Sequence, residues 1–391
     1  MGKKILVLAG EKSGDVLGSK LIECLREFSG GDLFDISIVG GPLMEEKSGT
    51  KSLFPMSDIM VMGLFEVLPK LPRILKRLEE ITRFVLDTHQ DLLLTIDSPD
   101  FCFRVVEGIR KRDREGRIKI FHLVAPSVWF YREGRAKKIA KLYDGLFCLL
   151  PFEPPYFEKY GLRSIFTGHP IFDGSRSLVG RDHSAVRHSV DGETISLAPG
   201  SRIAEIRAIL PIIVGVVGEL RKIYNFRYSV LATENTASVI EKYLRNRKID
   251  YIDVLSDPVE KKKTLDGSLM AIAKSGTNTL EIAAHAVPMI VLYRFSFLTN
   301  ALASLLLKLK SGIKFVSIIN ILAKREIIPE LILSRCTVKN IVKCAIGLLN
   351  DDGARITQVK SNLRILEELG YRADSSPSWI IADEICRSLG L

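Results

Sequence analysis

The chain has 391 residues, an apolar fraction of 47% and a formal net charge of +10 at pH 7. Such a composition excludes a disordered or fibrous chain and supports packed cores, and the length suggests two domains, or three, at roughly 150 residues each. The excess of cations points to anionic partners (phosphorylated substrates, an acidic lipid surface or nucleic acid), although no zinc finger or RNA-binding signature accompanies it.

The first residues, MGKKILVLAGEKSGD, hold an apolar core too short for a signal peptide, and it runs straight into Glu11. They read as a buried strand over residues 5–9, then a glycine-bearing loop and a helix over 16–28. Leu6 stands where a myristoylation motif carries Ser or Thr. The loop lacks G-x-G-x-x-G spacing, so a dinucleotide fingerprint is not supported. Glu11 and Asp15 make it a poor cradle for pyrophosphate but suit it to hydroxyls. A second strand, 36–39, ends in Gly40, Gly41 and Pro42.

Residues 61–78, VMGLFEVLPKLPRILKRL, form a nearly continuous apolar surface through Met62, Leu64, Phe65, Leu68, Leu71 and Leu75. Lys70, Arg73, Lys76 and Arg77 flank it. Two prolines are expected to break the helix early, leaving a short apolar segment that leads into a basic amphipathic helix. This suits the interface of an anionic membrane or an acyl-chain groove; a core helix with solvated lysines is the plainer alternative.

A buried strand over 92–96 ends in Asp97, Ser98, Pro99 and Asp100. Carboxylates at a strand's carboxyl end, stiffened by proline, are well placed for acid–base work, with Asp100 ahead of Asp97; either can instead cap the following helix. The strand at 120–124 ends in APSVW, with Arg132 and Arg135 beyond it. Residues 146–150 read as the last strand of this half, which closes at Gly168, His169 and Pro170. His169 is a phosphate or sugar contact, or simply a turn residue.

The charged stretch 173–193 reads as an interdomain linker. A strand over 195–198 then leads into Pro199, Gly200, Ser201 and Arg202 and a helix from about residue 204. Gly200 permits close backbone approach, Ser201 offers donors, and Arg202 suits a bidentate phosphate clamp. The loop is not a Walker sequence. Residues 269–292 give strand, loop, helix and strand, with Ser275, Gly276 and Thr277 in a second anion-ready loop and Glu281 placed for ribose hydroxyls. An ordinary helix cap with a solvated Glu281 is the alternative for this unit alone. Two such loops in one domain fit a nucleotide sugar carrying a diphosphate. The longest apolar run, 208–217, falls far short of the ~20 residues that span a bilayer. Six cysteines without a CxxC read as reduced core thiols of a cytoplasmic protein, soluble or lying on a membrane.

PGSR with Glu205, and SGTNTLE, resemble the nucleotide-sugar domain of GT-B glycosyltransferases. AGEKSGD, VMGLFEVL, IDSPDF, APSVW and GHP, with YRFSFLTNALASLLLK and IINILAKREIIPELI, resemble one family of that fold, lipid-A-disaccharide synthase. The match runs in order from Ala9 to about Leu333. It implies an α/β protein of two Rossmann-like doubly wound domains facing a central cleft. Residues 1–172 would form the acceptor and membrane-facing domain, with tail helices from about 362 to 391 packing back on it, and residues 194–361 the UDP-sugar domain. It further implies an inverting transfer that joins UDP-2,3-diacylglucosamine to 2,3-diacylglucosamine 1-phosphate, releasing UDP. Asp100 matches the family's essential carboxylate, and Glu11 and Ser13, with Asp15 and Asp97, its acceptor side. Arg202 and the Ser201 and Ser275 loops match its UDP side, Glu281 the ribose contact, and Asn320 the asparagine of a late loop that some members contribute across a swapped homodimer. The resemblance implies no metal and no cofactor, and a peripheral place on the inner face of a bacterial inner membrane. Lys324 replaces a usual glycine beside Asn320, and Phe130 and Tyr131 replace a usual Ala-Trp. A GT-B relative with another acceptor, a UDP-sugar 2-epimerase and a non-catalytic nucleotide-sugar-binding protein at the membrane are the rival readings.

Overall fold

The computed structural model describes residues 2–29, 33–60, 64–113, 115–129, 134–173, 193–294, 315–371 and 375–391, and for 64–69 the backbone alone. The chain divides into two compact units, Met1–Ser177 with Leu369–Leu391, and Leu178–Glu368. Most of the expected linker, together with Met62, Phe130, Tyr131 and Arg132, lies outside the described residues.

The first unit is built on a parallel sheet of β1 (Lys3–Ala9), β2 (Phe34–Val39), β3 (Leu92–Ile96), β4 (Lys119–Leu123), β5 (Gly145–Cys148) and β6 (Ser164–Phe166), in the order β2-β1-β3-β4-β5-β6. Its central strands are apolar at nearly every position because helices cover both faces. Along β1, Leu6 and Leu8 enter one core, while Ile5, Val7 and Ala9 enter the other.

The second unit repeats the design with β7 (Thr194–Ala198), β8 (Arg227–Leu231), β9 (Asp253–Leu255), β10 (Ser268–Lys274), β11 (Met289–Tyr293) and β12 (Glu330–Ile332). Its order is β12-β11-β10-β7-β8-β9, again parallel throughout. Both sheets are doubly wound, so the strand order reverses between β1 and β3 in one and between β7 and β10 in the other.

Several elements differ from the sequence reading. β6 follows the strand expected to be last, and β8, β9 and β12 are additional to those expected; β6, β9 and β12 have only three residues each, too few for a recognisable apolar run. The helix Leu64–Asp87 is continuous through Pro69 and Pro72, although each proline forfeits one backbone hydrogen bond. Beyond the prolines, Ile74, Ile81 and Val85 are buried, so this part of the apolar stripe faces the core.

The tail crosses later than expected. Asn362 is fully buried in the helix Asp352–Glu368, which belongs to the second unit. There Gln358 bonds both the N–H (2.6 Å) and the carbonyl (3.1 Å) of Met289, and buried Arg355 donates to the last carbonyls of the helix Val338–Leu349. From Leu369 the chain joins the first unit, where Ile381, Ala382 and Ile385 of the helix Pro377–Ser388 pack with Leu21, Ile22 and Leu25 of the helix Lys12–Ser29. Arg163 and Glu384 (2.7 Å) add an ion pair.

The Gly168-His169-Pro170 segment is part of this joint. The His169 N–H donates to the Leu369 carbonyl at 3.0 Å, and its Nδ1 accepts from the Ile171 N–H at 3.2 Å. Burial, with Lys20 nearby, pushes the imidazole down to about 4, so it is neutral and framework. Gly168 has φ +83°, and a Cβ there would sit 2.9 Å from the Leu369 carbonyl. Gly168→Ala should therefore lower unfolding stability by about 1–3 kcal/mol, read from the denaturant midpoint; an unchanged midpoint would contradict this role.

Candidate active site

In a parallel sheet covered on both faces, polar groups gather where the strands end and the crossovers diverge. At the first unit's switch point the loops after β1 and β3 touch. A Cβ on Gly10 would lie 2.5 Å from Ser98 Oγ, so only glycine allows the approach. Ser13 Oγ donates to Asp97 Oδ2 across the same gap, at 3.4 Å. Asp97 and Ser98 both have positive φ (53° and 44°), and Val124 at the end of β4 has φ 78°. Three consecutive or neighbouring non-glycine residues in this region mark a strained edge of the kind found at functional sites.

Pro99 opens the helix Pro99–Arg112, so Asp100 occupies its first turn, where a carboxylate is favoured. Its side chain is 86% exposed, and Oδ1 lies 2.5 Å from Arg135 Nη2. Oδ2 has no partner among the described residues. The guanidinium of Arg135 also lies over the Phe103 ring, 4.8 Å from its centroid. In the sequence Arg135 is one of several basic residues after APSVW, and nothing local distinguishes it. Below this pair lies a buried group. His122 Nδ1 meets Thr95 Oγ1 at 2.7 Å, and burial, with Arg135 nearby, pushes the imidazole down to about 3.

Asp15 has a different place from the one expected. It is 5% exposed, and its carboxylate accepts from the backbone N–H groups of Gly41 (2.9 Å), Leu43 (3.3 Å) and Met44 (3.0 Å). It thus ties the helix Lys12–Ser29 to the start of the helix Pro42–Ser48 and leaves little to offer a ligand. Glu11 is half-buried and Ser13 exposed.

Trp129 of APSVW is fixed by Glu153. Oε1 accepts from the indole N–H at 3.2 Å, and Oε2 from the Leu150 N–H at 3.0 Å. Glu153 is 3% exposed, and desolvation raises its carboxyl to about 7 against the hydrogen bonds that lower it.

At the second switch point the loops after β7 and β10 are joined by Glu205. Its Oε2 accepts from the Ser201 N–H (3.3 Å), and its Oε1 meets Lys274 Nζ (2.8 Å). Lys274, the residue before the Ser275-Gly276-Thr277 loop, is therefore held by a carboxylate. Gly200 has φ +118°, and a Cβ on it would meet Glu205 Oε2 at 2.5 Å. Ser201 and Arg202 are exposed, with Arg202 at the N-cap of the helix Ile203–Leu220. Gly276, at φ +154°, and Thr277 are exposed after β10, as is Glu281.

Ser275 and Asn320 depart from the expected ligand roles. The Ser275 N–H donates to the Leu292 carbonyl and its hydroxyl to the Val316 carbonyl, both at 2.8 Å. Asn320 is fully buried, and its amide is saturated. Nδ2 donates to Ile328 O (2.7 Å) and Glu330 Oε1 (2.8 Å), while Oδ1 accepts from the N–H groups of Ile327 (2.8 Å) and Ile328 (2.9 Å). Glu330 also accepts from Ser317 and Val316. This network shapes the late loop and, through Ser275, ties it to the end of β10. Lys324 takes a left-handed conformation (φ 53°), where a glycine would be relaxed.

On the helix Leu64–Asp87, Arg77 is bound by Asp58 (2.7 Å) and Glu80 (2.5 Å) and lies over Phe54, and Arg73 reaches Asp58 at 3.5 Å. The local surface is thus less cationic than the sequence suggests. Leu75 is half exposed, Leu71 is partly so, and the side chains of Leu64, Phe65 and Leu68 lie outside the described residues.

A family model described as lipid-A-disaccharide synthetase matches residues 5–383. The chain is 39% identical to the lipid-A-disaccharide synthase of Rickettsia prowazekii (strain Madrid E) over 386 residues, covering 97% of this chain and 98% of that one. To the synthase of Rhodospirillum centenum (strain ATCC 51521 / SW) it is 36% identical over 384 residues, or 97% and 93%. Among solved structures, a putative UDP-N-acetylglucosamine 2-epimerase from Listeria monocytogenes aligns with TM-score 0.61 at 13% identity, covering 100% and 96%. A glycotransferase of kitacinnamycin aligns with TM-score 0.60 at 13% identity, covering 99% of each chain. These structural likenesses establish the GT-B type of fold and no more.

A folded-state carboxyl raised to about 7 stabilises the protein when protonated, so Glu153's contribution is whole below about 4.5 and fades as pH rises through 7. Relative to the parent, Glu153→Gln should therefore gain up to about 3 kcal/mol of unfolding free energy between pH 5 and pH 8, set against a pH-independent loss because one amide oxygen cannot accept from both the Trp129 indole and the Leu150 N–H. A pH-independent difference would remove the assigned titration.

Proposed function

The chain belongs to the lipid-A-disaccharide synthase family, and from that premise we propose how its residues share the chemistry. The reaction is a glycosyl transfer: UDP-2,3-diacylglucosamine and 2,3-diacylglucosamine 1-phosphate give a β-1,6-linked disaccharide 1-phosphate and UDP. Inversion at the anomeric carbon needs one displacement, a base for the acceptor hydroxyl and stabilisation of the departing diphosphate.

Asp100 is the base. The observation that carries this is an exposed carboxylate at the strained carboxyl edge of β3, with Oδ1 held by Arg135 and Oδ2 unoccupied among the described residues. Glu11, Ser13 and Asp97 line the acceptor side. On the donor side, Arg202 and the backbone of Gly200, Ser201, Gly276 and Thr277 receive the diphosphate, and Glu281 takes the ribose. Ser275, Asn320 and Asp15 hold these loops in shape rather than touching substrate.

The acyl chains of both substrates favour work at a lipid surface. No helix among the described residues is long and apolar enough to cross a membrane. The exposed Leu75, with Arg73 and Lys76 beside it on the helix Leu64–Asp87, supports a peripheral contact with anionic lipid, on the cytoplasmic face of the inner membrane.

Asp100→Ala should lower kcat by ~10²–10⁴ while calorimetric affinity for UDP stays the same; undiminished turnover rejects Asp100 as base. Changing Arg73 and Lys76 together to Glu should reduce flotation with vesicles containing anionic lipid. Equal flotation of parent and variant would sink the membrane assignment.

A further inference from the structure

Arg135 begins the helix Arg135–Ala140, whose first turn contains no acidic residue. That is the end of a helix where a cation is least favoured, so helix stability does not account for it. The guanidinium is nonetheless well placed: its side chain is 23% exposed, it is packed over Phe103, and one nitrogen lies 2.5 Å from Asp100 Oδ1. Phe103 itself packs edge-on against Tyr143 and beside His122, which is neutral, so the base of the arginine is rigid and carries no like charge.

The partner is the opposite case. Asp100 projects 86% exposed, and an ion pair with so solvated a carboxylate contributes little stability. What the pair does is restrict the carboxylate. An exposed carboxylate on a single methylene rotates readily, whereas one oxygen pinned to a packed guanidinium leaves the other in a defined direction. We propose that Arg135 is a positioning residue for the transfer reaction, orienting Asp100 so that Oδ2 faces the acceptor hydroxyl. The assignment rests on Asp100 being the base.

A second bridge joins the same two helices, Lys138 Nζ, one turn beyond Arg135, to Glu107 Oε1, two turns beyond Asp100, at 2.5 Å. It supplies the control, because a merely structural role for Arg135 would be shared by Lys138. Arg135→Met keeps the stem over Phe103 and removes the charge. It should lower kcat ~10–100-fold, the scale of a slightly misplaced catalytic group, with the acceptor KM within about twofold and UDP affinity unchanged. Lys138→Met should leave kcat unaltered. Arg135→Lys should recover part of the rate, and guanidinium ion added to Arg135→Ala should restore some turnover.

Equal losses in Arg135→Met and Lys138→Met would show helix docking instead and overturn the proposal. So would an increase in the acceptor KM with kcat preserved, since Arg135 would then be a substrate contact. Loss of activity in Asp100→Ala with none in Arg135→Met defeats this inference alone, whereas full activity in Asp100→Ala defeats the base assignment beneath it.

Discussion

Parallel pairing of strands buried on both faces is the constraint from which the rest follows. Such strands have no exposed flank, so their interiors are mainly Ile, Leu, Val and Ala, buried polar exceptions such as Thr95, His122 and Ser196 are paired with one another or with neighbours, and exposed polar groups gather at the strand ends. Because each sheet is doubly wound, the crossovers part between β1 and β3 and between β7 and β10. The loops that part there are the ones carrying Glu11, Asp97 and Asp100 in the first unit and Ser201, Arg202, Gly276 and Thr277 in the second. The chemistry is gathered by topology before any side chain contributes.

Burial then sorts the polar residues at those edges into two kinds. A polar group out of water must be satisfied, and satisfying it uses up its valence. Asp15 spends its carboxylate on three backbone N–H groups, Asn320 spends both ends of its amide, and Ser275 spends N–H and hydroxyl alike. These residues make the loops rigid. Asp100, Ser201, Thr277 and Glu281 remain solvent-exposed and keep capacity for a ligand. The same rule explains why Glu205 and Lys274, each 18% exposed, form a pair that fixes the distance between two loops.

Family membership and these geometric divisions meet on one point. Structures with the same fold include a putative 2-epimerase and a glycotransferase, so the architecture alone does not choose the reaction. At the end of β3 the exposed carboxylate of Asp100 is paired with a distant arginine, Arg135. That arginine sits on a helix that opens between β4 and β5, thirty-five residues along the chain.

How much was legible in the sequence depends on range. The buried runs of β1, β3, β7, β10 and β11 declare themselves by composition, and the loops after them by glycine, proline and serine, because those signals are local. The three-residue strands β6, β9 and β12 carry no such signal; they form because neighbouring edges await pairing. The prolines at 69 and 72 suggested a break that the surrounding helix overrides. Whether Asp15, Ser275 or Asn320 faces ligand or framework, whether Arg77 is a free cation or the partner of Asp58, and where the tail changes units were decided only in three dimensions. Each rests on groups far apart in sequence, and a residue's type fixes what it can bond but not which neighbour folding brings within reach.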